Sequence, residues 1–316
     1  MTWISDEAIV RLRALEDRPD FSATRYELLE PLGRGGMGIV FRGRDRELDR
    51  EVAIKVAAWS TAADADRLRA EARTLAALEH PGIVPIHDAG RLPDGRVFAV
   101  MMLVRGERLD VCARRLPFRD RLRLFDRVCD TVSFAHSRGV IHRDLKPANV
   151  MVGPFGQVFV LDWGLATSGS DPDFAGSTPK PGSDPTPSLI HGAAVVGTEG
   201  YMAPEQSTRN FNHRSDIYAL GAMLRDLTSD LDMRSRLLRP LGSVIGRAMA
   251  VDPIDRYQSA GDLAADVRRF LDGLAVAAHH ETPTERIARF GRTYRTPIAL
   301  VLAYLTMRVL LVVWGR

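Results

Sequence analysis

Apolar and polar positions divide the chain into two textures. Between Tyr26 and Val104, short runs rich in β-branched and aromatic residues predict strands at Tyr26–Leu32, Ile39–Arg42, Glu51–Ala57, Ile83–His87 and Arg96–Val104. A Gly-rich turn, Gly33–Gly38, separates the first two. Residues 64–79 instead repeat at helical spacing, with Leu68, Glu71, Leu75 and Leu78 on one face. The pattern predicts a small antiparallel sheet with one main helix. Ahead of it, Ile4, Ile9, Val10, Leu12 and Leu15 alternate with charges, predicting a short amphipathic helix that ends near Pro19. From about Leu109 the pattern turns helical, with helices predicted over 119–138, Ser215–Leu227, Leu241–Ala250 and Ala260–Leu271. A hairpin interrupts them: Val150–Val152 and Gln157–Leu161 around Gly153-Pro154-Phe155-Gly156. Residues 167–192 are rich in Ser, Thr, Pro, Gly and Asp, a loop composition. Pro297–Trp314 is apolar except for Thr306 and Arg308, and Arg286, Arg289, Arg292 and Arg295 precede it.

Composition adds a few exclusions. With 316 residues, 45% hydrophobic and 26% charged, the chain is an ordinary folded protein. A net charge of +3 with no basic, aromatic-laced stripe gives no case for nucleic acid as a partner. Cys112 and Cys129 form neither a metal-spaced cluster nor a disulfide framework, which fits a reducing compartment. The N-terminus has no long apolar run, so no signal peptide is expected.

Three groups of residues carry chemistry. Gly33-Arg34-Gly35-Gly36-Met37-Gly38-Ile39-Val40 fits G-x-G-x-x-G-x-V. Such glycines let the backbone fold close over phosphates and offer its N–H groups to them. The same spacing serves dinucleotide folds or a plain hairpin. A strand rather than a helix follows here, which favours a phosphate-covering hairpin. Val52-Ala53-Ile54-Lys55 puts a lysine among apolar neighbours, and Glu71 lies on the inner face of the next helix. A lysine held by a carboxylate stays charged and aimed at phosphate oxygens. The alternative is a Glu71 that is only a surface charge. The third group decides between these readings: His142-Arg143-Asp144-Leu145-Lys146-Pro147-Ala148-Asn149, then Asp162-Trp163-Gly164, then Ala203-Pro204-Glu205.

In this order the motifs resemble the eukaryotic-type protein kinase domain, in its bacterial Ser/Thr branch, over Arg25 to Gly273. The resemblance implies an α+β, two-lobe fold: an N-lobe over about 25–103 with an antiparallel sheet and one main helix, and a mainly helical C-lobe over about 104–273. Residues 1–24 would be an amphipathic extension, 274–296 a basic linker and 297–314 an apolar helix. The implied reaction moves the γ-phosphoryl of ATP, with Mg²⁺ or Mn²⁺, onto Ser/Thr hydroxyls of proteins, the chain itself included. Asp144 would orient the substrate hydroxyl, and Lys146 would stabilise the γ-phosphate. Asn149 and Asp162 would bind the metal, and Lys55 with Glu71 would form the ion pair of the assembled state. Gly33, Gly35 and Gly38 would cover the phosphates. Leu32, Val40, Ala53 and Met151 would sandwich the adenine, with Met101 as gatekeeper and Met102–Leu103 as hinge. Leu75, Ile86, His142 and Trp163 match a stacked apolar column, with Asp216 as its anchor. Glu205 and Arg256 match a buried ion pair, and Thr198 a loop contact to Asp144 and Lys146.

Three departures qualify the match. Trp163 stands where the family usually has Phe. The segment from Asp162 to Glu205 is long, and Ala194 sits where an activating phosphosite is common. The stretch between the Asp216 helix and Asp252-Pro253 is short, so the usual substrate-docking helix is expected to be trimmed. A nucleotide-binding scaffold without turnover is the rival reading. Thr178, Ser183, Thr186 and Ser188 are candidate phosphosites for a clamp by Arg143, or incidental hydroxyls of a solvated linker. Pro297–Trp314 is a candidate membrane anchor near the lower length limit for a span, with the upstream arginines keeping the kinase part cytoplasmic. Its alternative is an apolar helix packed on the domain or a partner. Almost nothing follows Trp314, so no external sensor domain is expected.

Overall fold

A computed structural model describes residues 18–35, 38–57, 68–69, 72–163, 167–168, 200–208, 211–233, 235, 237–293 and 295–314. The N-terminal helix expected over residues 1–20 falls almost wholly outside that range, as do Glu71, Thr198, Ala194 and the four candidate phosphosites. The chain divides into two compact units.

The first unit holds residues 1–112, 134–143 and 147–192. Its centre is a five-stranded antiparallel sheet in the order β1-β2-β3-β5-β4, made of β1 (Tyr26–Gly35), β2 (Gly38–Asp45), β3 (Arg50–Ala57), β4 (Ile86–Arg91) and β5 (Val97–Met102). Alternation along β3 and β5 sorts side chains onto two faces. On one face Val52, Ile54, Val56, Phe98 and Val100 join Phe21, Tyr26, Leu28, Phe41 and Leu92 in a dry cluster. Burying a Val or Ile side chain of this kind stabilises by about 1.5–3 kcal/mol. On the other face Ala57, Val97 and Ala99 pack with Leu68 and Ala72, from the segment whose helical period the sequence shows. Leu68, Leu75 and Leu78 are all buried, as that period requires.

Smaller elements complete this unit. They are β6 (Glu107–Arg108), α1 (Leu109–Cys112), β7 (Val140–Ile141), β8 (Val150–Val152), β9 (Val158–Val160) and β10 (Thr167–Ser168). The strands β6-β8-β9 form a second sheet, and β10 pairs with β7. The expected fourth strand begins at Ile86 rather than Ile83. Ile83 instead bridges Val160, and the Val160 N–H donates to Gly82 O at 2.8 Å, so this stretch is committed to another partner.

The second unit is helical: α2 (Phe118–Ser137, of which the last four residues belong to the first unit), α3 (His213–Leu227), α4 (Arg239–Ala248) and α5 (Ala260–Leu271). Asn212 and Ser215 form a capping box at the start of α3. Ser259 caps α5 by accepting the Asp262 N–H at 3.0 Å. Between α3 and α4 the described residues contain turns and no helix. Arg121 closes this short connection, donating to both Asp230 oxygens (2.6 and 2.9 Å) and to Leu227 O (3.1 Å).

The segment expected as a basic linker is more ordered than that reading. Val276 is buried, and the N–H groups of Ala277 and Ala278 donate to the buried Asp266 carboxylate at 2.8 and 3.0 Å. A helix, α6 (Pro283–Thr293), follows. The last helix, α7 (Arg295–Trp314), contains the predicted apolar segment and leaves Leu300, Val301, Leu302, Leu305, Leu310 and Leu311 more than half exposed. No helix among the described residues is long and apolar enough to cross a membrane.

Candidate active site

Strands β1 and β2 converge on the Gly-rich turn, with Gly33 opposite Val40 and Gly35 opposite Gly38. Gly38 has φ of +148°, and a Cβ there would lie 2.1 Å from Val56 O, so only glycine fits against β3. Register then aligns the next residues: Val40 lies opposite Lys55, and Ala53 opposite Met101. Directly opposed residues share a face, so Val40, Ala53, Lys55 and Met101 line one side of the sheet. Ala53 is buried, while Val40, Met101, Met102, Leu103 and Met151 are partly buried and Leu32 is half exposed. The Lys55 side chain is only 9% exposed, and its Nζ lies 3.4 Å from Asp162 Oδ1. Asp162 is therefore the carboxylate seen beside Lys55; the predicted partner Glu71 lies outside the described residues.

Asn149 and Asp162 flank the β8–β9 hairpin. The Leu161 N–H donates to Asn149 O at 2.8 Å, which closes the open end of that hairpin and sets Asn149 beside the residue that precedes Asp162. Both offer hard oxygen donors. Two protein oxygens, with phosphate oxygens and water completing the shell, are the donor set that Mg²⁺ favours. Asp162 has φ of +60°, and Arg143 has φ of +72°. Next to Asp162, Trp163 is buried at 2% exposure and packs at a tilt of 51° against the fully buried His142, ring centroids 4.7 Å apart. Leu75, buried, and Ile86, partly buried, belong to the same unit.

In the second unit Lys146 Nζ donates to Asp144 Oδ2 at 2.7 Å, and both side chains keep partial solvent contact. Glu205 and Arg256 form a two-pronged ion pair at 2.7 and 2.8 Å, with Arg256 fully buried. Burial pushes the Glu205 carboxyl up, but the Arg256 guanidinium and the Ser215 hydroxyl outweigh it and hold the group below its ordinary value. Asp216 is also buried.

Two features escaped the sequence pattern. One is the pair of left-handed residues, Arg143 and Asp162, which no local residue type announces. The other is the hydrogen bond from the Trp163 indole to Val160 O, at 3.0 Å. The rule that a buried indole N–H finds an acceptor could have foretold that such a bond exists, though not to which atom.

Known proteins are similar to this chain in sequence. The chain is 34% identical over 291 residues to the serine/threonine-protein kinase PknB of Mycolicibacterium smegmatis, covering 81% of this chain and 44% of that protein. PknB of Mycobacterium tuberculosis is 34% identical over 289 residues, with the same coverage. A probable serine/threonine-protein kinase of Streptomyces coelicolor is 33% identical over 289 residues, covering 80% of this chain and 41% of the relative. The chain thus spans less than half the length of the curated relatives it matches. Residues 26–237 match the family model described as the protein kinase domain, and the chain belongs to that family.

Proposed function

We propose that the chain is an active protein serine/threonine kinase that transfers the γ-phosphoryl group of ATP to Ser or Thr hydroxyls of proteins, itself included. The observation that carries this reading is the grouping of Lys55, Asn149 and Asp162: a nearly buried ammonium 3.4 Å from a carboxylate, with a second hard-oxygen donor bonded to the residue that precedes it. Phosphoryl transfer asks a protein mainly for positioning and charge neutralisation, and these groups are of the kinds it needs. Asn149 and Asp162 would hold Mg²⁺, with Mn²⁺ as a substitute of the same coordination, and the ion would neutralise charge on the β- and γ-phosphates. Lys55 would grip α/β-phosphate oxygens. Gly33, Gly35 and Gly38 let the turn approach them, with Leu32, Val40, Ala53, Met101, Met102, Leu103 and Met151 around the adenine. Asp144 would accept the hydrogen bond of the substrate hydroxyl and take its proton. Lys146, donating to Asp144, would keep that carboxylate aimed and add positive charge for the γ-phosphate.

A scaffold that binds nucleotide without turnover would have no use for Asp144. The test is transfer of labelled γ-phosphate from ATP-Mg²⁺ onto the chain and onto a generic basic protein. Wild type should label Ser or Thr, and Asp144→Asn should lower the rate by about 10²–10⁴-fold, the usual worth of a positioned base. Equal absence of transfer in both, with ATP binding intact, would favour the scaffold.

A second proposal concerns location: α7 makes contact with a membrane while the kinase part stays in the cytoplasm. What favours it is the exposure of apolar side chains such as Val301, Leu302, Leu305 and Leu311 along one helix that has arginines upstream.

A further inference from the structure

Trp163 carries one group that a phenylalanine at this place would lack, the indole N–H. With the ring 2% exposed, that donor has no water to turn to, and it donates to Val160 O at 3.0 Å. The bond spans the residue that matters. Between Val160 and Trp163 lies Asp162 with φ of +60°, a conformation that an ordinary L-residue keeps only when its surroundings over-determine it. Those surroundings are visible. On the N-terminal side, Leu161 is held through both backbone groups. Its N–H donates to Asn149 O at 2.8 Å, and its C=O lies 2.9 Å from His142 Nε2. A carbonyl can only accept, so His142 carries its proton on Nε2. On the C-terminal side, the Trp163 indole reaches back over Asp162 to the end of β9 and lies against the same His142 ring. The turn is gripped before and after Asp162, and the second grip depends on nitrogen rather than on ring shape.

We infer that Trp163 is a positioning residue for Asp162, acting through its indole N–H: the bond to Val160 O pins the left-handed turn and so holds the carboxylate where a divalent ion can use it. This rests on the kinase reading for its consequence in turnover, but not for its consequence in the resting protein.

Two replacements separate shape from hydrogen bonding. Trp163→Phe removes the N–H and part of the ring. Trp163→β-(3-benzothienyl)alanine keeps the two-ring outline and puts sulfur in place of N–H. In full-length protein free of nucleotide and metal, amide hydrogen exchange at residues 160–163 should quicken in both variants by about 2- to 10-fold, the shift one net hydrogen bond makes in an opening equilibrium. Exchange over α3 should stay as in wild type, which would show that the fold is intact. In turnover at saturating ATP, half-saturating Mg²⁺ should rise by a similar factor in both variants, while kcat at saturating Mg²⁺ recovers. A benzothienylalanine protein with wild-type exchange and wild-type Mg²⁺ dependence overturns the inference. So does a change confined to Trp163→Phe, since ring volume would then be the cause. If wild type transfers no phosphate, the kinase reading fails while the exchange measurement still decides the latch.

Discussion

At the scale of single residues, Arg256 shows what a buried charge requires. It is fully buried, and all five of its N–H donors are used: Nε to Ala250 O, one terminal nitrogen to Glu205 and Arg214 O, the other to Glu205 and Val251 O. A guanidinium satisfied in this way tolerates burial, whereas a carboxylate left behind without it would not. Arg256→Met should therefore cost about 3–5 kcal/mol in urea unfolding at neutral pH, the typical result of breaking such a pair from one side. A loss under about 1 kcal/mol would mean that water replaces the guanidinium. The pair also sets a pH dependence. Glu205 is held below its ordinary value of 4.5. The folded protein thus binds the proton less readily than the unfolded chain does. Its contribution is complete above about 4.5 and disappears as pH falls through the lower, folded value. Glu205→Gln should be less stable than wild type at pH 7, and the gap should narrow in acid. A gap that stays constant down to pH 3 would show that the carboxylate's ionisation contributes nothing.

At the scale of elements, close packing overrides local preference. Gly221 sits inside α3, where alanine would be favoured by about 0.5–1 kcal/mol. A Cβ at that position would lie 2.7 Å from the Ala248 Cβ and 2.8 Å from the Met249 Cγ, because α4 crosses there. Gly221→Ala should destabilise the protein despite its better helix propensity, by about 1–3 kcal/mol as overpacking does. A raised melting temperature would show that the two helices can separate without loss. The same contest explains what the sequence reveals. Four of the five strands of the large sheet were legible in place, β3 most plainly because alternation sorts Val52, Ile54 and Val56 from Ala53, Lys55 and Ala57, while β4 was expected three residues early. The two-residue strands β6, β7 and β10 were not, since two residues carry no period. Helix α6 was read as linker for its many arginines, although Thr282 and Glu285 exchange backbone N–H bonds at 2.9 and 3.3 Å around Pro283, a start signal present in the sequence. Of the site, the motifs named Lys55, Asp144, Lys146, Asn149 and Asp162 from residue type and spacing. The left-handed turn at Asp162 is held in part by bonds between distant residues, from Leu161 N–H to Asn149 O and from His142 Nε2 to Leu161 O, to which spacing is blind.

At the scale of the whole molecule, the helical unit continues past α5 along an anchored path to a helix whose apolar side chains are exposed. Asp266 holds Ala277 and Ala278, the His279 ring lies 3.0 Å from the Ser243 hydroxyl, and Arg289 pairs with Glu281 at 2.7 Å. Beyond Arg295 such ties give way to exposed Leu, Val and Met side chains, with Trp314 at 88% exposure. Apolar surface of that extent is unstable in water and calls for a covering. A bilayer surface would supply one without a crossing, and Arg308 fits a helix lying near the interface, where its long stem lets the charge reach water. The expected outcome is that the full chain sediments with membranes, stays there in 1 M salt, and is released by mild detergent. Removal of residues 295–316 should leave a protein that stays in the supernatant with phosphotransfer intact, because every residue assigned to the active site, Arg256 included, lies before residue 295. Release by salt alone would show that the arginines make an electrostatic contact and that the apolar helix is buried in protein. A detergent-free supernatant of intact chain would show that α7 is covered by the protein itself or by another copy of it.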